Sequence, residues 1–437
     1  YVDSRFTKGR LVLVMSSQFA LASDARKQVP VELEVEETVP STTQRQYDHM
    51  TGKYVSTTEE AKTRTRKITL YKTEIRKDPI VVEDGKIRGI ACTEIVKQPI
   101  MDMDFSLTQV ASIDVGELAE PQTKGAFGGG DQIYMSDRSL YIMKSGVAWR
   151  PWIAPDNSPQ TAKQNRRYQG LSQAISVLKT DIAPDSGKIA FVAAGMVLGT
   201  AKDQYSFEEY PAESALAIAT TTSAPLPEEG DDPESISDLC NGKSEWEWER
   251  SETRGRNHMW VLEQNGTELK LAKTHKNFGE PGEDIRSVRF ADGYAYVVTF
   301  KKTDPLYTFD MREPKKFELV GALKIPGFSM YLHPAAGEKM IGVGFDADDQ
   351  GNFAWFQGIQ VSLFDVSDPT SVKRSDNIVH GQRGSYSDVT GDPHAFFYSA
   401  GDNLFEVPLV ELVGKDANTG SQMGTELKFS GAVVYGI

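Results

Sequence analysis

At 437 residues with 39% apolar content, the chain is long enough to bury a sizeable core, and a repeat fold can reach this size as one β-domain by adding units. Lys plus Arg number 48 against 62 Asp plus Glu, a formal net charge of −14, so nucleic acid is excluded as the expected partner; the acidic surface reads first as a solubility device, with cation binding the sharper alternative. No apolar run approaches the length of about eighteen residues that a transmembrane helix needs, and Leu11-Val-Leu-Val-Met15 is far too short.

Residues 1–19 hold two strands, with Lys8-Gly9 at the turn between them. The stretch 22–100 is different in character. Val31-Glu-Leu-Glu-Val-Glu36 alternates apolar and acidic residues, and Thr63-Arg-Thr-Arg-Lys-Ile-Thr-Leu70 alternates in a related way with basic ones, so both read as strands with a charged face. Folding back near Asp48-His-Met-Thr-Gly52 sets Glu34 and Glu36 opposite Arg66 and Arg64, and each such pair favours that register by a few tenths to about 1 kcal/mol. The expectation is a long hairpin arm of about 17 residues a side, roughly 55 Å. Such an arm either folds down as a cover or serves as a contact element for another subunit or protein partner, with Glu34, Glu36, Arg64 and Arg66 as its contact residues.

From Asp102 short strands follow one another. Phe105–Asp114 is a strand, Gly128-Gly-Gly-Asp131 a turn, and Gln132–Ser136 with Leu140–Lys144 a hairpin around Asp137-Arg138. Residues 149–168, rich in Pro, Asn and Gln, form a loop; Ala174–Lys179, Ile189–Ala194 and Gly195–Gly199 are further strands. The insertion 223–256 carries Pro225-Leu-Pro-Glu-Glu-Gly-Asp-Asp-Pro-Glu234, too acidic and proline-bearing to pack by itself, and Glu245-Trp-Glu-Trp-Glu249, whose alternation puts Trp246 and Trp248 on one face. Asp284–Phe300 reads as two strands joined at Asp292-Gly293, and Leu306–Asp310 supplies a third.

The unit then repeats. Phe309-Asp-Met-Arg-Glu-Pro314 is echoed about 55 residues later by Phe364-Asp-Val-Ser-Asp-Pro369, and a four-stranded unit recurring at roughly 40 to 55 residues is the signature of a propeller blade. Six blade starts fall near Tyr1, Gly130, Gln204, Asp284, Ser329 and Ser385. The fold class is therefore all-β: a single β-propeller domain of four-stranded blades over 1–437, carrying the hairpin arm at 22–100 and the acidic loop at 223–256.

Chemistry is sparsely written. Asp346, Asp348, Gln350 and Gly351, with Asn352 following, resemble the first half of a calcium loop, although position nine is Ala354 and position twelve Gln357; the other reading is an ordinary Asp/Gly hairpin turn. Asp310 and Asp365 end strands and read as turn formers, since a catalytic residue has no reason to repeat. No Gly-x-Ser-x-Gly elbow occurs, the six histidines show no zinc-like spacing, and Gly125-Ala-Phe-Gly-Gly-Gly130 lacks the Lys and helix of a phosphate cradle.

Asp284-Ile-Arg-Ser-Val-Arg-Phe290, Val297–Tyr307, Ile325-Pro-Gly-Phe-Ser329, Tyr331-Leu-His-Pro334 and Ser362–Pro369 resemble a secreted prokaryotic β-propeller family distantly related to WD-repeat proteins, with weaker matches at Tyr1–Arg5, Tyr205–Tyr210 and Phe429–Tyr435. That resemblance implies an exported propeller and supplies no catalytic residues. In an exported protein Cys92 and Cys240 pair as a disulfide tying two insertions together; two independent buried thiols are the alternative. The resemblance starts and stops mid-pattern, so an export signal, further strands and a full ring of seven or eight blades are expected. The function expected is a binding or structural scaffold at the cell surface, since no catalytic motif is found; the rival is a calcium-dependent hydrolase with carboxylates at the central channel.

Overall fold

The protein is described by a computed structural model over residues 2–7, 9–18, 26–39, 42–48, 53–59, 62–75, 82–83, 86–87, 95–97, 106–116, 122–136, 138–147, 173–183, 186–223, 225–226, 255–300, 304–349, 354–414 and 423–437. It divides into two compact units, Phe19–Ala91 and the remainder. Cys92, Cys240, Trp246, Trp248, Gln350 and Asn352 lie outside the described residues.

The larger unit contains the six expected blades. Blade 1 runs Asp3–Thr7, Arg10–Gln18, Ser106–Asp114 and Gln122–Phe127, with Ile95–Lys97 added in parallel at its outer edge. Blade 2 is Gln132–Met135, Ser139–Val147, Gln173–Ile182 and Ile189–Leu198; blade 3 is Phe207–Tyr210, Ala215–Thr222, Arg256–Asn265 and Glu268–Phe278. Blade 4 is Asp284–Ala291, Tyr294–Phe300, Asp304–Asp310 and Glu318–Ile325; blade 5 is Phe328–Ala335, Lys339–Asp349, Ala354–Asp365 and Lys373–His380. Among the described residues blade 6 is made of three strands, Phe397–Ser399, Leu404–Val413 and Glu426–Gly436. Each blade is an antiparallel meander in chain order.

Among the described residues the blades are joined mainly by side chains. Five buried clusters sit between successive blades. Val14, Val110, Leu140 and Ile142 join blades 1 and 2; Tyr141, Met143, Phe207, Leu216 and Ile218 join 2 and 3; Ala217, Ala219, Met259, Val297 and Phe309 join 3 and 4. Val298, Phe300, Phe328 and Phe364 join 4 and 5, and Ile341, Val343, Phe405 and Val407 join 5 and 6. A middle strand therefore buries both faces, Leu216 and Ile218 toward one neighbour and Ala217 and Ala219 toward the other. Such strands read as unbroken apolar runs, and Ala-Leu-Ala-Ile-Ala219 is one.

Backbone pairing between blades occurs at one described place, where Ala194 and Gly195 meet Glu268 and Leu269 in parallel. A Cβ on Gly195 would stand 2.5 Å from the Leu269 carbonyl oxygen, so glycine is required by the approach of a neighbouring backbone. The two strands expected on either side of Gly195 are accordingly one, Ile189–Leu198. At the tip of blade 4, Asp292 and Gly293 have φ of 50° and 79°, the left-handed pair that a two-residue hairpin needs.

The repeat extends to irregularities. Blades 4 and 5 both shift register in the inner strand, at Ile285/Ser287 and Ser329/Tyr331, and again in the third strand, at Thr308/Phe309 and Leu363/Phe364. The two Phe-Asp motifs end those third strands, where Asp310 Oδ1 accepts from the Arg312 N–H at 3.1 Å and Asp365 Oδ1 from the Ser367 N–H at 3.1 Å. Both aspartates are thus turn formers, as their recurrence implies.

The smaller unit holds the arm. Arg26–Val39 pairs with Lys62–Ile75 and Thr42–Asp48 with Lys53–Glu59, all antiparallel. Asp48 pairs with Lys53, so the chain reverses where expected, but the register differs by one residue. Glu34 is opposite Lys67, Val35 opposite Arg66, Glu36 opposite Thr65 and Glu37 opposite Arg64, not Glu34 with Arg66 and Glu36 with Arg64. The length of the reversal fixes register, and one residue of slip changes every partner.

Candidate functional site

The inner strands of four blades line an open cavity of about 340 Å³. Blade 1 contributes Arg5, blade 2 Tyr134 and Met135, blade 4 Arg289 and Phe290; blade 3 adds Phe207 and Glu208, preceded by Gln204 and Tyr205 from the 3-10 turn that leads into it. Asp203 caps that turn, accepting from the Tyr205 N–H at 2.9 Å. Burial raises the Asp203 carboxyl above its ordinary range, against the pull of this bond and of the nearby Lys202 and Arg289 charges.

Arg5 belongs to the wall. It pairs with Asp3 at 2.7 Å, donates to the Ser4 carbonyl at 2.8 Å and reaches the Gln204 side chain. Arg289 is placed differently: its guanidinium lies 4.6 Å from the centre of the Tyr205 ring, and among the described residues it forms no ion pair. Tyr205 in turn packs on Tyr331 of blade 5 at 5.8 Å, and the Tyr331 hydroxyl meets His333 Nδ1 at 2.9 Å. Burial, reinforced by the Arg289 charge, lowers His333 to about 4, so its ring is neutral at pH 7.

Glu208 faces the same cavity. Tyr134 donates to its Oε2 at 3.4 Å, while the Tyr134 hydroxyl accepts from the Glu209 N–H at 3.0 Å. Burial raises the Glu208 carboxyl, with the Tyr134 bond and the Arg289 charge acting in the opposite direction. Glu209, one residue on, points into the seam between blades 2 and 3. Its Oε1 accepts from Tyr141 at 2.7 Å, Ser139 at 3.0 Å and Lys179 at 3.1 Å, and Ser136 bonds Oε2. Burial alone would raise the Glu209 carboxyl, but the bonds from Ser136, Tyr141 and Lys179 together hold it below the ordinary range.

The residues singled out in the sequence lie elsewhere. Asp346 and Asp348 sit on a strand of blade 5 whose ladder continues to Asp349 opposite Ala354, and Glu34, Glu36, Arg64 and Arg66 are in the arm. Asp346 is not among the described residues that line the cavity. Among the described residues no three His, Cys, Asp or Glu side chains are grouped to hold a metal. Of the late histidines, His333 is beside the cavity, His380 bonds Tyr435 at 2.7 Å, and His394 is exposed beside Asp392. The cavity residues were missed individually, yet Arg5, Tyr205, Glu208 and Arg289 all fall in segments that carry the family resemblance.

Residues 1–437 match the model of a family described as "Beta propeller domain". An uncharacterised protein of Methanocaldococcus jannaschii is 38% identical over 129 residues, covering 30% of this chain and 19% of that protein. One of Archaeoglobus fulgidus is 29% identical over 235 residues, covering 54% and 30%. The chain therefore spans less than a third of the length of the curated relatives it matches. Among solved structures, a putative 6-phosphogluconolactonase of Bacteroides fragilis gives a TM-score of 0.30 at 9% identity, covering 75% of this chain and 93% of that one. The parainfluenza virus 5 hemagglutinin-neuraminidase gives 0.33 at 8%, covering 76% and 84%. Likenesses this low carry no argument about activity.

Proposed function

We propose, from the premise that this chain belongs to the beta propeller domain family, that it is an exported binding and structural module that assembles with protein partners at the cell surface. The observation that carries this reading is the arm. It is a separate compact unit built of two-stranded ladders, so among the described residues each strand in them has one ladder partner and one unpaired edge. Bare edges of this length are templates for strand addition, in which main-chain hydrogen bonds supply affinity and alternate side chains supply choice. A second unpaired edge supports the same reading: among the described residues Glu426–Gly436 of blade 6 is paired on one side, and Leu427 and Val434 on it are 64% and 59% exposed. An exported setting also suits Cys92 and Cys240, which would pair there.

Deleting residues 26–75 is expected to leave the blades folded and to reduce the particle mass in light scattering to that of a single chain. The melting transition of the remaining unit serves as the folding control. If the full chain and the deletion have the same assembly state in the presence of material co-purified from the source, the arm is not the contact element.

A further inference from the structure

The central cavity carries an inference separate from the arm. Arg289 is half-buried with its guanidinium over the Tyr205 ring, and among the described residues its N–H groups have no acceptor. A guanidinium with unspent N–H groups is a planar fork that can hold a carboxylate through two parallel bonds. Glu208 is half-buried on the same cavity with its Oε1 unpartnered among the described residues and its Oε2 held at 3.4 Å by Tyr134. No ion pair joins the two residues. Opposite charges that line one small space, each with hydrogen-bonding capacity unspent, call for a ligand that carries both complementary groups.

We propose that the central cavity binds a small zwitterion of the α-amino acid class, its carboxylate on Arg289, its ammonium on Glu208, and its side chain against the rings of Tyr134 and Tyr205. The size agrees: about 340 Å³ lies at the small end of ligand pockets. The neighbouring groups are already committed, Arg5 to Asp3 and Gln204, and Asp203 to capping the turn, so they act as fixed walls. Placement at the junction of four blades gives the site a rigid frame, which lowers the ordering cost of binding.

The test is calorimetric titration of the 437-residue chain with the common α-amino acids, and with phenylacetate and 2-phenylethylamine as probes lacking one or the other charge. At least one amino acid is expected to bind, and at least tenfold more tightly than either single-charge probe, the loss expected when a charged hydrogen bond goes unmade. Arg289→Met and Glu208→Gln are each expected to weaken that binding at least tenfold with an unchanged melting temperature. If Arg289→Met does not fold, Arg289→Lys, which keeps the charge and loses the fork, is expected to weaken it as well. The proposal is overturned if no amino acid binds at millimolar concentration, if phenylacetate binds as tightly as any amino acid, or if both variants bind like the parent chain.

Discussion

Replacing Lys179 by Met is expected to destabilise the chain by about 3–5 kcal/mol, because it strands the Glu209 carboxylate in the seam between blades 2 and 3. The Glu209 side chain is 2% exposed and that of Lys179 11%, so neither ion can be rehydrated without opening the blade interface. Tyr141, Ser139 and Ser136 would still donate to the carboxylate, but no cation would balance it. The double variant Lys179→Met/Glu209→Gln removes both charges and is expected to recover much of the loss. Chemical denaturation of the single and double variants measures this; equal destabilisation by both would mean that the charge pair is not the cause. The same group sets an acid sensitivity. Since the folded Glu209 carboxyl is held below its ordinary range, its contribution is fully present above the unfolded pKa and is lost as pH falls through the folded one, and Glu209→Gln should flatten that part of the acid-unfolding curve.

Phe309→Ala is expected to cost a similar amount, about 3–5 kcal/mol, by opening a cavity between blades 3 and 4. Phe309 is fully buried, with Phe278 edge-on at 5.1 Å, His275 at 5.5 Å and Phe317 at 6.0 Å. Phe278 and His275 lie on the last strand of blade 3 and Phe317 ends the 3-10 turn of blade 4, so backbone fixed in two separate blades limits how far the rings can close into the space left behind. Phe309→Leu keeps most of the volume and should cost markedly less; equal losses for the two would contradict the packing described. Melting curves of both variants decide the point.

The blade framework was legible because its signals are local. Asp292-Gly293 and the two Phe-Asp turns need only a few neighbouring residues to form, and the Phe-Asp turn recurs in blades 4 and 5. The cavity was not legible because its parts are not local. Arg5, Tyr134, Glu208 and Arg289 are separated by long stretches of chain, and each alone reads as an ordinary polar residue on a strand. Phe207-Glu-Glu-Tyr210 shows the difficulty in four residues: adjacent strand residues point to opposite faces, so Glu208 meets the cavity while Glu209 is buried in a blade seam. The alternation of the arm identified its strands correctly, yet hydrophobic alternation repeats every two residues and does not distinguish which residues face each other across the ladder. That choice belonged to the reversal, where Asp48 pairs with Lys53.

The arm and the cavity ask different things of the same chain. Strand addition needs backbone left unpaired, whereas a small-molecule site needs side chains fixed from several directions. The blades meet the second demand because four of them bring an inner strand to one place, and because cores shared between neighbouring blades hold those strands still.

Everything rests on neighbouring blades sharing those cores, and Phe300 with Phe328 tests it most directly. The rings come from blades 4 and 5, are both buried, and stack with centroids 4.1 Å apart at 25°. A double-mutant cycle with Phe300→Leu and Phe328→Leu, read by denaturant unfolding, is predicted to give a coupling energy of about 0.5–1.5 kcal/mol. Strict additivity of the two substitutions would contradict face-to-face packing of the blades.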